Sequence, residues 1–130
     1  MEDVRLLIPR SKMDVERAEA AVAAGFPTIE PILYELFEWL QDMNWLVAQI
    51  LAPTLASVGK PLIPHIQRIF ETDDEIWKYW IMREIFCNSE DVAIAFKDEL
   101  KRIAFNPSTS ELEEEINEDA EYVLKKYGWV

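Results

Sequence analysis

Ile29, Ile32, Leu33, Leu36, Phe37 and Leu40 recur at i, i+3, i+4 and i+7 without a miss, the spacing that lays one apolar stripe along a helix. Thr28 stands where its N-cap belongs. Pro31 falls in the first turn, where a missing N–H has no intrahelical partner to lose. The reverse of the stripe, Glu30, Tyr34, Glu38 and Gln41, is expected to face water. Gln41-Asp42-Met43-Asn44 then forms a polar corner, with Asn44 as the N-cap of the next helix. From Trp45 to Val58 the chain is apolar on nearly every side, interrupted only by Gln49, Thr54 and Ser57, so this helix must be sandwiched between neighbours. Pro53 lies in its interior, removes the bond to the Gln49 carbonyl and predicts a kink there. Gly59 ends the helix.

The pattern then returns. Leu62, Ile63, Ile66, Ile69 and Phe70 give a one-sided helix over Pro61–Thr72. Asp73 or Asp74 caps a second sandwiched helix that carries Ile76, Trp77, Tyr79, Trp80, Ile81, Met82, Ile85 and Phe86 to about Cys87. Trp45 and Trp77, like Asp42 and Asp74, are 32 residues apart, and Pro31 matches Pro64 and Phe37 matches Phe70 at 33. These offsets define two copies of one unit, residues 28–59 and 60–88.

One-sided helices flank the pair. Pro9 disfavours a helix running into it, so residues 1–12 are read as an extended arm. An end helix in 13–27 has Ser11 and Asp14 as a capping pair, Val15, Ala18 and Val22 as its face, and Gly25 as its stop. In the C-terminal region 89–130, Ser89 caps a helix with Val92, Ala95, Phe96, Leu100 and Ile103, which ends at Asn106-Pro107-Ser108. A capping box from Ser110 to Glu113 opens the last helix, whose stripe is Leu112, Ile116, Ala120, Val123, Leu124 and Tyr127. Its acids gather at the start and Lys125-Lys126 at the end, which suits the helix dipole. No segment alternates as a strand would. The pattern predicts an all-α, HEAT-like right-handed α-solenoid of about seven helices, because one helix pair cannot bury both faces of its second helix and polar-backed end helices must close the stack. A compact orthogonal helix bundle is the alternative.

Length and charge narrow the uses of such a fold. At 130 residues and 50% hydrophobic content, one domain with a continuous core is expected. Thirteen basic against 25 acidic side chains give a net charge of -12, which opposes the attraction that drives binding to phosphate backbones. Nucleic acid and anionic membranes are therefore excluded as expected partners, and a basic protein is favoured. Cys87 is alone, so no internal disulfide forms, and the acidic start Met1-Glu2-Asp3-Val4-Arg5 does not fit a signal peptide. A cytoplasmic location follows, as a monomer or weak homodimer, and no stretch reaches the ~18 apolar residues of a membrane span.

Leu7-Ile8-Pro9 with Lys12 and Asp14, the string Glu38-Trp39-Leu40-Gln41-Asp42-Met43-Asn44-Trp45, and Asp74-Glu75-Ile76-Trp77-Lys78-Tyr79 together resemble a small bacterial family of about this length, a domain of unknown function with a HEAT-like helical fold. The resemblance implies that fold and brings no activity, cofactor or catalytic residue with it. In that family a Pro usually follows the second Trp of the string, where this chain has Leu46, which lacks the pre-set φ of Pro at a helix start.

The candidate chemistry is sparse. Asp42, Asn44, Asp73 and Asp74 would make a polar strip for a cation or a basic peptide, or simply cap the second helix of each unit. Trp39, Trp45, Trp77 and Trp80, with Tyr34 and Tyr79, are a heavy aromatic load. Equivalent positions assign Trp45 and Trp77 to packing, leaving Trp39 and Trp80 as anchors for a partner. Lys78 and Arg83 are rare cations in an acidic stretch, suited to gripping a carboxylate or phosphate or to an ion pair with the adjacent helix. His65 is the only histidine, and with Cys87 it makes no zinc set and no nucleophile–base pair; no cofactor is expected. Cys87 is read as a small buried hydrophobe. Seven acids in eleven residues, Glu111–Glu121, read as a solvated face, a mimic of a phosphate backbone or a surface for a basic toxin. The expectation is a non-enzymatic protein–protein interaction module, with an immunity or antitoxin-like role by analogy alone. The alternative is an enzyme or small-ligand binder with a cleft near Trp39, Asp42, Trp80 and Arg83.

Overall fold

The computed structural model describes residues 3–130; Met1 and Glu2, the start of the expected arm, lie outside them. Among the described residues the chain is all-helical and has no strand. The α-helices are α1 (Val15–Ala24), α2 (Leu33–Phe37), α3 (Leu46–Val58), α4 (Ile63–Phe70), α5 (Glu75–Glu84), α6 (Glu90–Ala93), α7 (Lys97–Phe105), α8 (Thr109–Glu113) and α9 (Ile116–Lys126). Single 3₁₀ turns precede α2 and α4 at Glu30–Ile32 and Lys60–Leu62, and others lie at Glu38–Gln41, Phe86–Asn88 and Ile94–Phe96.

The apolar stripes set the core. All six stripe residues from Ile29 to Leu40 are buried, as are Val47, Ala48, Leu51 and Leu55 of α3 and Ile81, Met82, Ile85 and Phe86 at and just beyond the end of α5. Phe70, Phe86 and Phe96 stack at 5.1–5.7 Å between ring centres and join α4, the end of α5 and the start of α7. The long helices touch in succession: α1 lies on α3, α3 on α5, α5 on α9, and α9 on α7. The 3₁₀ turn that ends the α2 segment lies on α5.

Several local expectations are corrected. The arm is not extended throughout, since Val4–Leu7 forms a 3₁₀ turn capped by Asp3. Asp14, not Ser11, caps α1; its carboxylate accepts from the Arg17 N–H at 3.4 Å and from the Arg10 N–H at 2.9 Å. Thr28 makes no cap, and the expected single helix over 28–41 is instead 3₁₀, α and 3₁₀ in turn. Asn44 does not cap α3: the N-cap position falls one residue later, on Trp45, which has no capping side chain, and the Asn44 N–H donates to the Asp42 carboxylate at 2.9 Å. α3 passes through the exposed Pro53 as one helix, and the sharp turn falls at Gly59, across which the chain bends by 113°. There φ is +83°, and a Cβ would meet nothing within 4 Å, so the backbone conformation rather than space calls for glycine.

The capping box is Ser108 with Glu111, two residues earlier than expected, and α8 is cut from α9 by Glu115 in the left-handed region at φ 59°. Ile76, Leu112 and Ile94 are about half exposed, and Val22 and Ala95 also face outward. More and shorter helices than about seven result, because the 3₁₀ turns and Glu115 divide the longer periodic runs.

Candidate functional site

The Glu38–Trp45 corner is built by its own backbone. Asp42 turns the chain out of the 3₁₀ segment in an extended conformation, φ -149° and ψ 107°. Its carboxylate then accepts from the Asn44 N–H, its carbonyl accepts from the Trp45 N–H at 3.2 Å, and the Gln49 amide donates to the Met43 carbonyl at 3.0 Å. This lock places Trp45 at the start of α3 beside Trp39, with ring centres 5.8 Å apart and planes at 69°, the edge-to-face geometry that aromatic pairs favour. Both indoles are half-buried. They wall an open groove of about 360 Å³ together with Ile8, Pro9, Glu35 and Glu38, and with Arg5 and Gln41 at its rim.

The second corner is built differently. Asp74 caps α5 by accepting from the Trp77 N–H at 3.0 Å, and the Thr72 hydroxyl donates to the Ile69 carbonyl at 2.6 Å. Trp77 is 6% exposed and its indole N–H donates to the Phe37 carbonyl at 3.0 Å. This bond ties the start of α5 to the end of α2. Tyr34, expected to face water, lies 6.0 Å from the Trp77 ring with the Arg68 guanidinium 3.9 Å above its own.

The remaining candidates divide. Lys78 is committed to Glu75 at 3.1 Å, both side chains 8% exposed, and the other Glu75 oxygen accepts from the Ser110 hydroxyl. Its partner is thus on its own helix rather than the adjacent one. Arg83 does reach the next element, 3.6 Å from Asp119 of α9, and its guanidinium is 5.4 Å from the Tyr79 ring centre. Trp80 is half-buried and meets Tyr79 edge to face at 4.6 Å. Asp73 is exposed. Asp42, Asn44 and Asp74 are spent on their own corners rather than joined in a strip. Trp39 and Arg83 line separate grooves.

Arg83's groove, about 510 Å³, runs between the α5 end and α9 and takes in Cys87, Asn88, Asp119, Tyr122 and Lys126. Burial pushes the Asp119 carboxyl above its ordinary value against the pull of Arg83, and burial likewise raises the Cys87 thiol against Lys126 and Arg83. Half-buried Cys87 is therefore a thiol held protonated. Burial lowers His65 below its ordinary value, with Glu35 opposing. Among the described residues no three His, Cys, Asp or Glu side chains converge as a metal site would require, and no single helix is long and apolar enough to cross a membrane.

Sequence reasoning missed Ile8, Pro9 and Glu35 as walls of the Trp39 groove, and Asp119 and Lys126 opposite Arg83. Asp119, Tyr122, Val123 and Lys126 do fall at helical spacing along one edge of the last stripe, which was a usable signal.

These features define a small all-helical domain of strong negative charge, with an aromatic groove at one corner and a mixed-charge groove at another. No curated protein matches the chain. The chain belongs to the family described as a domain of unknown function, DUF5071, whose model matches residues 7–124.

Proposed function

We propose that this domain is a HEAT-like helical stack that works without catalysis, as a protein–protein interaction module. The succession α1, α3, α5, α9 and α7 supports the stack. The observation that carries the function is the Trp39–Trp45 pair, half-buried yet walling an open groove. Large aromatics held rigid by a locked corner offer apolar area with little entropy left to lose, which is what interface anchors provide. Placing a photoreactive side chain at Gln41, on the groove rim, tests this in living cells. One discrete protein adduct is expected, reduced at least about tenfold by Trp39→Ala. Irradiated cells without an adduct, or an adduct that Trp39→Ala leaves unchanged, overturn the proposal.

A small-ligand site is the second reading, favoured by the groove beside Arg83 with its cations, carboxylates and apolar floor. Native mass spectrometry of the purified protein would then find a bound species that Arg83→Ala loses.

A further inference from the structure

Among the described residues four aromatic rings have a cation of the same chain over or near them: Arg68 over Tyr34 at 3.9 Å, Arg83 by Tyr79 at 5.4 Å, Lys97 by Trp129 at 5.7 Å and Lys126 by Tyr127 at 6.0 Å. The Trp39–Trp45 corner has the same ingredients for holding a cation without holding one. Among the described residues no cation lies over either indole, and neither Glu35 nor Glu38, which line the same groove, is in an ion pair. Indole faces and carboxylates are the two surfaces that a guanidinium or ammonium group seeks.

The groove's other wall cannot fill it. Pro9 is buried, and the Ile8 carbonyl already accepts from Arg17 at 3.2 Å. Among the described residues Arg5, which is exposed, is the one basic residue lining the groove, so that lining holds two carboxylates against one cation. The whole chain's charge of -12 adds a long-range field of the same sign.

We infer that the groove takes a lysine- or arginine-bearing segment of a partner protein, its cation lodged against the two indoles and the Glu35 and Glu38 carboxylates. This names the partner's chemistry and rests on the interaction function proposed above. Arg or Lys suits the site because the aliphatic stem covers the apolar floor while the charged head reaches the carboxylates.

The test titrates the ¹⁵N-labelled protein with a peptide of repeated Gly-Arg-Ala-Lys units and with its counterpart carrying Gln at every basic position. The basic peptide should move the Trp39 and Trp45 indole N–H signals and leave that of buried Trp77 in place, while the Gln peptide moves none. Glu35→Gln with Glu38→Gln should weaken binding about tenfold. Arg5→Gln, which removes the competing rim cation and needs no change in the core, should tighten it about threefold.

No shift at millimolar peptide, or shifts centred on the acids of Glu111–Glu121, would overturn the assignment, as would an Arg5→Gln variant that binds more weakly. A discrete Gln41 adduct combined with no peptide binding would leave the interaction function standing and reject the basic segment. Peptide binding at the indoles with no adduct in cells would show that the groove holds basic side chains but would overturn the partner protein, and with it both proposals.

Discussion

Lys78 brings a charge into a site that leaves it 8% exposed, and the site answers with Glu75 at 3.1 Å and the Ser110 hydroxyl on the carboxylate's far side. No buried side-chain polar atom among the described residues lacks a partner. Lys78→Met removes one charge and strands the other, which costs about 3–5 kcal/mol, whereas the double change Glu75→Leu with Lys78→Met costs far less, since no lone charge remains. Urea unfolding of the three proteins separates these outcomes. A Lys78→Met loss under about 1 kcal/mol would place the pair in the class of solvent-screened surface bridges. Which charges are committed in this way was not legible in the sequence. Periodicity puts Lys78 on a face of α5 but says nothing of Ser110, 35 residues from Glu75. The tryptophans teach the same point. Trp45 stands just before the start of α3 and Trp77 in the first turn of α5, 32 residues apart, yet Trp77 is sealed by Tyr34 and the Phe37 carbonyl while Trp45 stays half-open against Trp39. What covers a position is decided by the neighbouring element, not by the position's place in its own.

At the scale of elements, the α7–α8–α9 region shows how a signal can be present twice. Ser108-x-x-Glu111 and Ser110-x-x-Glu113 both fit the capping pattern. The first forms, because Glu111 has a second partner in Arg102, which reaches its two oxygens at 3.0 and 2.6 Å. Burial pushes the Glu111 carboxyl up, but hydrogen bonds from Arg102 and the Ser108 N–H outweigh it and hold it below its ordinary 4.5. The bonds to Glu111, with a further one to Glu99, raise Arg102 above its ordinary value. A carboxylate whose folded value is depressed adds stability that is present above its unfolded value and lost as pH falls through the folded one. Glu111→Gln should therefore cost about 1–2 kcal/mol near neutral pH, with Arg102 partly exposed and screened. The gap from wild type should close as pH falls below about 4.5, as urea midpoints across pH would record. A gap constant with pH would mean the loss is one of packing. The end of α8 offers a second test. Glu115 sits at φ 59°, a conformation that costs a non-glycine residue about 1–2 kcal/mol, so Glu115→Gly should raise the melting temperature. Unchanged or lower melting would show that the residue's own contacts repay its strain. Elsewhere the elements were well placed by pattern, and the missed boundaries share one cause. A residue in a 3₁₀ turn advances the face by about 120°, against about 100° in an α-helix, so a count at a single period runs past Glu30–Ile32, Glu38–Gln41 and Ile94–Phe96 without registering them.

For the molecule as a whole, the all-helical class was legible because the apolar stripes keep a helical period, and the Trp77–Phe37 bond ties α5 to the end of α2. The order of the far end was not legible. A stack built in chain order would set α7 beside α5, but α9 lies on both of them. Its stripe makes that possible: Ile116, Val123 and Leu124 are buried around Ala120, a small residue that lets a neighbour approach closely. The Tyr127 hydroxyl, donating to the Phe86 carbonyl, fastens its end to the turn after α5. Burying each of the three large side chains contributes about 1.5–3 kcal/mol, or about 5–9 kcal/mol together, against a typical domain stability of about 5–15 kcal/mol. A chain ending at Glu114 also uncovers the faces of α5 and α7 that α9 occupies. It should therefore lose its cooperative thermal transition and bind a hydrophobic dye while keeping much of its helical circular dichroism, as collapsed but unpacked chains do. If it melted as sharply as the whole chain, α5 and α7 would be stable without the helix between them, and α9 would be an appendage rather than the piece that joins the two ends of the core.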